Sequence, residues 1–163
     1  MGLIQVDTVT LTSSSSTIAV NGIDSDDVYM LACSNLIADS GNAEVKLRVN
    51  KSSSAQDDSE YDYAFEIIST VSFNTRSNAN HDEVYFIDNI HTYGGNAIGY
   101  LYNFNDASEY SSGTVESVAN VSNQELGNQG GWVHTVASAS NGVTLGLSTG
   151  SFTSGTVTLY KVI

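Results

Sequence analysis

Proline is absent from all 163 residues, cysteine occurs once, and only five residues are Lys or Arg. Without proline, no strand edge is blunted by a residue lacking its N–H, so edges must be closed by charge, bulges or a partner. The single cysteine, Cys33, cannot form an internal disulfide, which excludes a disulfide framework. Lying in the apolar run Val28–Cys33, it reads as a small buried hydrophobe rather than a reactive thiol. Five cations against 18 carboxylates leave a formal charge of −13. Such a surface repels phosphate backbones and anionic bilayers, so neither nucleic acid nor membrane is expected as a partner. His81, His91 and His134 are too widely spaced for zinc, and no cysteine pair assists them. The opening Met1–Asp7 has no basic flank and no unbroken apolar stretch for a signal peptide. Val6 stands where the myristoylation pattern wants Ser or Thr, and no window is apolar enough for a spanning helix. The expectation is a chain made and folded in a cytoplasm, for which the sequons at Asn50 and Asn120 carry no meaning.

Helical periodicity is also missing, and period-two alternation replaces it. Val45, Leu47 and Val49 share one face, with Glu44, Lys46 and Arg48 on the other. Tyr61, Tyr63, Phe65 and Ile67 repeat the pattern, as do Ile98, Tyr100, Tyr102 and Phe104, then Val143, Leu145 and Leu147, then Val157 and Leu159. Weaker runs are Leu3–Leu11, Thr17–Val20, Val28–Cys33, Val84–Ile87, Thr114–Val121 and Trp132–Ala137. In the first, apolar parity switches between Val6 and Val9, which predicts a bulge or bend. The breaks are Asn21-Gly22, Gly41-Asn42, Gly94-Gly95, Gly130-Gly131, Asn141-Gly142 and Gly155, all read as turns. The composition includes 24 Ser, 14 Thr and 15 Asn, with only 14% charged residues, which suits exposed β-faces. Ser13–Ser16 and Lys51–Ser59 read as loops. About ten or eleven short strands without a linker predict one all-β domain over residues 1–163, an antiparallel β-sandwich of jelly-roll type.

Three groups of residues are candidates for binding. Asp24, Asp26 and Asp27 supply clustered oxygens of the kind calcium needs, but the spacing departs from a calcium loop and reads better as a solvated acidic turn. Asp57, Asp58, Glu60 and Asp62 read the same way. Trp132 and His134, with Tyr100 and Tyr102, would suit a sugar-binding face if exposed, although a lone tryptophan more often packs in a core. Lys46, Arg48 and Lys51 hold three of the five cations on one strand, either as a guard against edge aggregation or as a docking patch for an acidic neighbour. The apolar ending Tyr160, Val162 and Ile163 suggests a final strand tied into the sheet or a contact with another subunit. There is no Gly-x-Ser-x-Gly elbow and no phosphate-gripping loop. Eighteen acids offer chance pairs for glycoside hydrolysis, but no constellation points to an enzyme or to a cofactor.

Three segments together carry a resemblance: Leu3–Leu11, Tyr100–Tyr110 and Thr149–Tyr160. The chain resembles small virion structural proteins of tailed marine bacteriophages, whose members often end in a Gly-Thr-Phe-x-Leu-Tyr-Gly-like strand. Val157 and Lys161 depart from that ending at the Phe and final Gly positions. The resemblance implies a jelly-roll-like sandwich on a particle, most simply a capsid decoration protein on the head. It also implies the major capsid protein or another virion protein as partner, and a homo-oligomer, a trimer by analogy. A tail fibre or appendage subunit with a receptor- or carbohydrate-binding role is the alternative, and a stand-alone carbohydrate-binding module is the second.

Overall fold

The computed structural model describes residues 2–121 and 124–163; Met1 of the opening segment and Ser122 of the second sequon lie outside them. The described residues form thirteen strands and no helix: β1 (Leu3–Thr10), β2 (Thr17–Asn21), β3 (Tyr29–Ala38), β4 (Ala43–Lys51), β5 (Ser54–Ala55), β6 (Tyr61–Ser69), β7 (Phe73–His81), β8 (Val84–Ile90), β9 (Gly95–Tyr102), β10 (Tyr110–Val121), β11 (Gln124–Ala137), β12 (Gly142–Leu147) and β13 (Phe152–Val162). The alternation seen in sequence becomes alternation of burial. In β4 the apolar Val45, Leu47 and Val49 are fully buried, while Glu44, Lys46 and Arg48 between them are not. Such a stripe buries only against another sheet, and the two sheets here supply that.

All pairings are antiparallel. One sheet runs β1-β13-β3-β9-β10-β11-β6-β7, and the other runs β2-β12-β4-β5, with β8 also paired to β4. Eight strands within this order form a two-Greek-key jelly roll. Taking β1, β2, β3, β4, β8, β9, β12 and β13 as first to eighth, the sheets read first-eighth-third-sixth and second-seventh-fourth-fifth. The remainder is two insertions, β5–β7 after the fourth strand and β10–β11 after the sixth. The insertions pair with each other through β11 and β6, which extends one sheet by four strands. Tyr29, Leu31, Phe86, Leu101, Phe104, Phe152 and Leu159 fill the space between the sheets, each fully buried and each worth roughly 1.5–3 kcal/mol.

The extension curls over β8, the outermost strand of the smaller sheet, which explains why β8 is buried on both faces. Two of the backbone groups on the edge of β8 away from β4 are taken by a side chain. Asn128 of β11 donates from Nδ2 to the Phe86 carbonyl at 3.3 Å, and its Oδ1 accepts from the Asp88 N–H at 3.1 Å. A primary amide offers the donor and acceptor of a peptide group, so Asn128 stands in for a neighbouring strand. Ser117 of β10 donates to the same Oδ1 and fixes the amide's orientation. At the opposite side of the small sheet, Asp7 Oδ2 accepts from the Asn21 N–H of β2 at 2.9 Å. Asp7 follows the register shift between Gln5 and Asp7, the bulge expected from the parity switch.

Three expectations fail, each for a physical reason. Gly130-Gly131 is not a turn; it lies mid-strand in β11. A Cβ on Gly130 would sit 2.2 Å from the Ala64 carbonyl, so glycine is there to let β6 and β11 approach. Gly155 likewise lies within β13, at an irregularity with φ of +132°. The segment Phe73–His81 carries no apolar alternation and was not expected as a strand. It forms because β6 offers a complete edge to pair with, and its residues are nearly all exposed. Truncating Asn128 should expose how much the edge contact matters. Asn128→Ala leaves two buried backbone groups unpaired, at about 1–3 kcal/mol each. Urea unfolding should therefore show a loss of at least about 2 kcal/mol, and an unchanged midpoint would contradict the role given to this amide.

Candidate functional site

The register of the extended sheet places its outward side chains in rows across the strands. One row consists of Ser77, Ala64, Gly131, Thr114 and Tyr100, from β7, β6, β11, β10 and β9 in turn. The next row towards one end is Thr75, Glu66, Gln129, Glu116 and Ile98. The first row is small except at Tyr100, so it forms a trough running across the strands, about 19 Å over four strand spacings. Glu66, Gln129 and Glu116 line one bank, and Tyr100 and Ile98 close the end. A depression of about 740 Å³ opens between the two rows, lined by Ala64, Thr114 and Tyr100 of the first and by Glu66, Gln129 and Glu116 of the second, within the size range of small-ligand sites. Gln129 Nε2 donates to Glu66 Oε2 at 3.1 Å, which ties the bank together.

Beyond this bank the same face becomes apolar. Val118 and Ile68 flank Gly127, and Phe73 and Val71 follow at the end of the extension. Their exposures are 53%, 45%, 61% and 73%. Four apolar side chains at one tip exceed the scattered exposure normal for a surface.

The basic strand is already occupied within the molecule. Lys46 pairs with Glu83, and Arg48 reaches Glu83 at 3.2 Å and Asp82 at 3.5 Å. Arg76 of β7 joins Glu44 at 2.9 Å and Asp88 at 2.8 Å, and lies over the Tyr85 ring at 4.4 Å. These pairs tie the extension to β4 and β8. Lys46 and Arg48 are therefore corrected from a free docking edge to an internal ladder, because the turn between β7 and β8 brings acids over them. Only Lys51, at the exposed end of β4, stays apart from this ladder.

The other expected residues fall in separate places. Asp27 takes the fifth cation, Lys161, at 2.6 Å, and hydrogen bonds from Lys161 and Ser25 hold its carboxyl below the ordinary value. Asp24 accepts from the Tyr29 hydroxyl at 3.1 Å. Among the described residues no group of three or more ligating side chains is assembled, so Asp24, Asp26 and Asp27 do not converge. The sugar-face set divides. Tyr100 and Tyr102 point outwards, whereas Trp132 and His134 belong to the inward parity of β11 and are 4% and 1% exposed. Trp132 packs edge-on to Phe104, so the pairing of Trp132 with His134 on an exposed face is corrected. His134 lies tilted against Tyr61 with ring centroids 4.7 Å apart, and neither ring nitrogen has a hydrogen-bond partner. Strand β13 lies between β1 and β3, with Tyr160 on the outer face and half-buried; the Gly2 and Ile163 backbones bond mutually at 2.8 and 3.0 Å. Sequence reasoning missed Glu66, Glu116, Gln129 and Gly131, because only the pairing of the two insertions brings them together.

No family model matches the chain, and no curated protein matches it. Among solved structures, two weak likenesses are to infectious bursal disease virus: its VP2 subviral particle and its Gt strain. Both are 14% identical, and the alignments cover 99% of this chain but only 38% and 39% of those chains, with a TM-score of 0.15. The chain thus spans less than two-fifths of those viral proteins, and superposition at that score carries no argument about role.

Burial pushes His134 below its ordinary value of 6.5, so the folded protein resists protonating it while the unfolded chain does not. Its contribution to stability is complete above pH 6.5 and is lost as pH falls below it, by at most about 1.4 kcal/mol per pH unit. Asp27 and Asp106, lowered from 3.8, act only in a more acidic window. Urea midpoints measured from pH 7 to 5 should fall in the native chain, and His134→Phe should flatten that limb. A parallel fall in both proteins would contradict this assignment.

Proposed function

We propose that this chain is a structural subunit displayed on a viral particle, with capsid decoration on the head as the preferred role. The observation that carries the reading is the two-Greek-key jelly roll whose extension ends in an exposed apolar tip. Jelly rolls are widespread in capsid domains, although fold alone does not assign function. The tip supplies what docking needs, a contiguous apolar contact of Ile68, Val71, Phe73 and Val118, and the partner proposed for it is the major capsid protein or another virion protein. The resemblance of the terminal segments to small phage virion proteins supports the same reading. Association into a homo-oligomer is part of the proposal, and no catalytic step is.

The surface of −13 formal charge keeps such a protein soluble, while salt screens its self-repulsion over about 10 Å. Because Lys46 and Arg48 are paired internally, they take no part in the proposed contact. A tail-appendage role would share the fold and differ in where the tip binds.

Particles lacking their native surface protein provide the test. Purified chain should co-sediment with them, and Val71→Ser combined with Phe73→Ser should reduce occupancy while far-ultraviolet circular dichroism stays unchanged. Tail-only labelling by electron microscopy would move the role from head to tail. A folded native chain that binds no part of the particle would overturn the proposal.

A further inference from the structure

Gly131 has no structural reason to be glycine. Its φ is ordinary, and a Cβ would meet nothing closer than the Gly113 carbonyl at 3.5 Å, an ordinary contact. A glycine inside a strand weakens it, and one that packing does not demand marks a place where something else approaches the backbone. Here it lies between Ala64 and Thr114, both of which line the depression.

The bank chemistry indicates what approaches. With Gln129 Nε2 donating to Glu66, the groups left facing the trough are mostly acceptors: the Gln129 carbonyl oxygen and the carboxylates of Glu66 and Glu116. Thr114 and Ser77 add hydroxyls that donate or accept. An acceptor-rich bank suits a ligand that presents many O–H donors. The Tyr100 ring, 36% exposed, offers an apolar surface at the end. Arg76, the one cation lining the depression, is already held by Glu44 and Asp88, so an anionic ligand meets the carboxylates of Glu66 and Glu116.

We infer that the trough binds a neutral oligosaccharide, with one pyranose ring lying flat over the Gly130-Gly131 backbone. Its hydroxyls donate to Glu66, Gln129 and Glu116, and its C–H face lies against Tyr100. The site is separate from the apolar tip, so it is testable on the isolated protein whatever the outcome of particle docking.

The experiment is a titration of the uniformly ¹⁵N-labelled chain with cellotetraose, maltotetraose, mannotetraose and chitotetraose, with tetragalacturonate and tetralysine as charged probes. At least one neutral tetrasaccharide should shift the amides of Gly131, Thr114 and Gln129, and tetragalacturonate should not. Gly131→Val narrows the trough between Ala64 and Thr114, and Tyr100→Ala removes its wall; each should weaken binding about tenfold or more. Gly146→Val, at an equally open glycine on the other sheet, should bind like the native chain. Thermal midpoints distinguish lost binding from lost folding, since valine suits a strand. The inference is overturned if no neutral tetrasaccharide shifts the trough amides, if tetralysine alone does, or if folded Gly131→Val binds undiminished.

Discussion

The buried amide of Asn128 closes the edge of β8, and the whole extension depends on that closure. An unpaired strand edge covered by another sheet strands polar backbone groups away from water, at a cost comparable to lost hydrogen bonds. Water satisfies an exposed edge, but β8 lies beneath β10 and β11, so the covering sheet must supply partners. Asn128 supplies both a donor and an acceptor from one side chain, and Ser117 orients it. Arg76 adds a second tie further out, bridging Glu44 and Asp88. At the other side Asp7 accepts from one N–H of β2, that of Asn21. A chain without proline thus manages its small sheet's edges by side chains reaching across from the large one.

The same closure creates the outer face. Because the inward parity of β11 is committed to Asn128, Gly130 and Trp132, its outward parity falls on Gly127, Gln129, Gly131 and Val133. Two glycines on one exposed face make it low, and the pairing of β6 with β11 puts Ala64 and Glu66 beside them. Trough and tip are therefore by-products of how the extension is anchored. Four of the five cations, all but Lys51, hold elements together, which leaves the acids to set the character of the exposed surface.

Much of this was legible in the sequence. Alternation in Ala43–Val49 and Tyr61–Ile67 gave strand identity and facing, because a half-buried strand must alternate. In β9, by contrast, the buried face is Ala97, Gly99 and Leu101, and the alternating Ile98, Tyr100 and Tyr102 lie outside. The β1 bulge was visible as a parity switch. What stayed hidden depends on long-range pairing. The polar run Phe73–His81 has no signal of its own and becomes β7 only by pairing with β6. Gly130-Gly131 looks like a turn until β6 is brought within reach of its backbone. The binding candidates suffered most, since Trp132 and His134 read as a possible surface pair until their parity is fixed by Asn128. Lys46 and Arg48 looked free because their partners Asp82 and Glu83 lie more than thirty residues away in the chain.

Native-state amide hydrogen exchange at Asp88 tests the central claim most directly. Its N–H has a side-chain oxygen as partner instead of a strand, buried beneath the extension. If Asn128 closes this edge, the Asp88 amide should exchange only with opening of the extension or the whole molecule, at protection comparable to Leu31 or Leu101 in the core strands. Exchange at the rate of an exposed loop amide, while those core positions stay protected, would contradict the account.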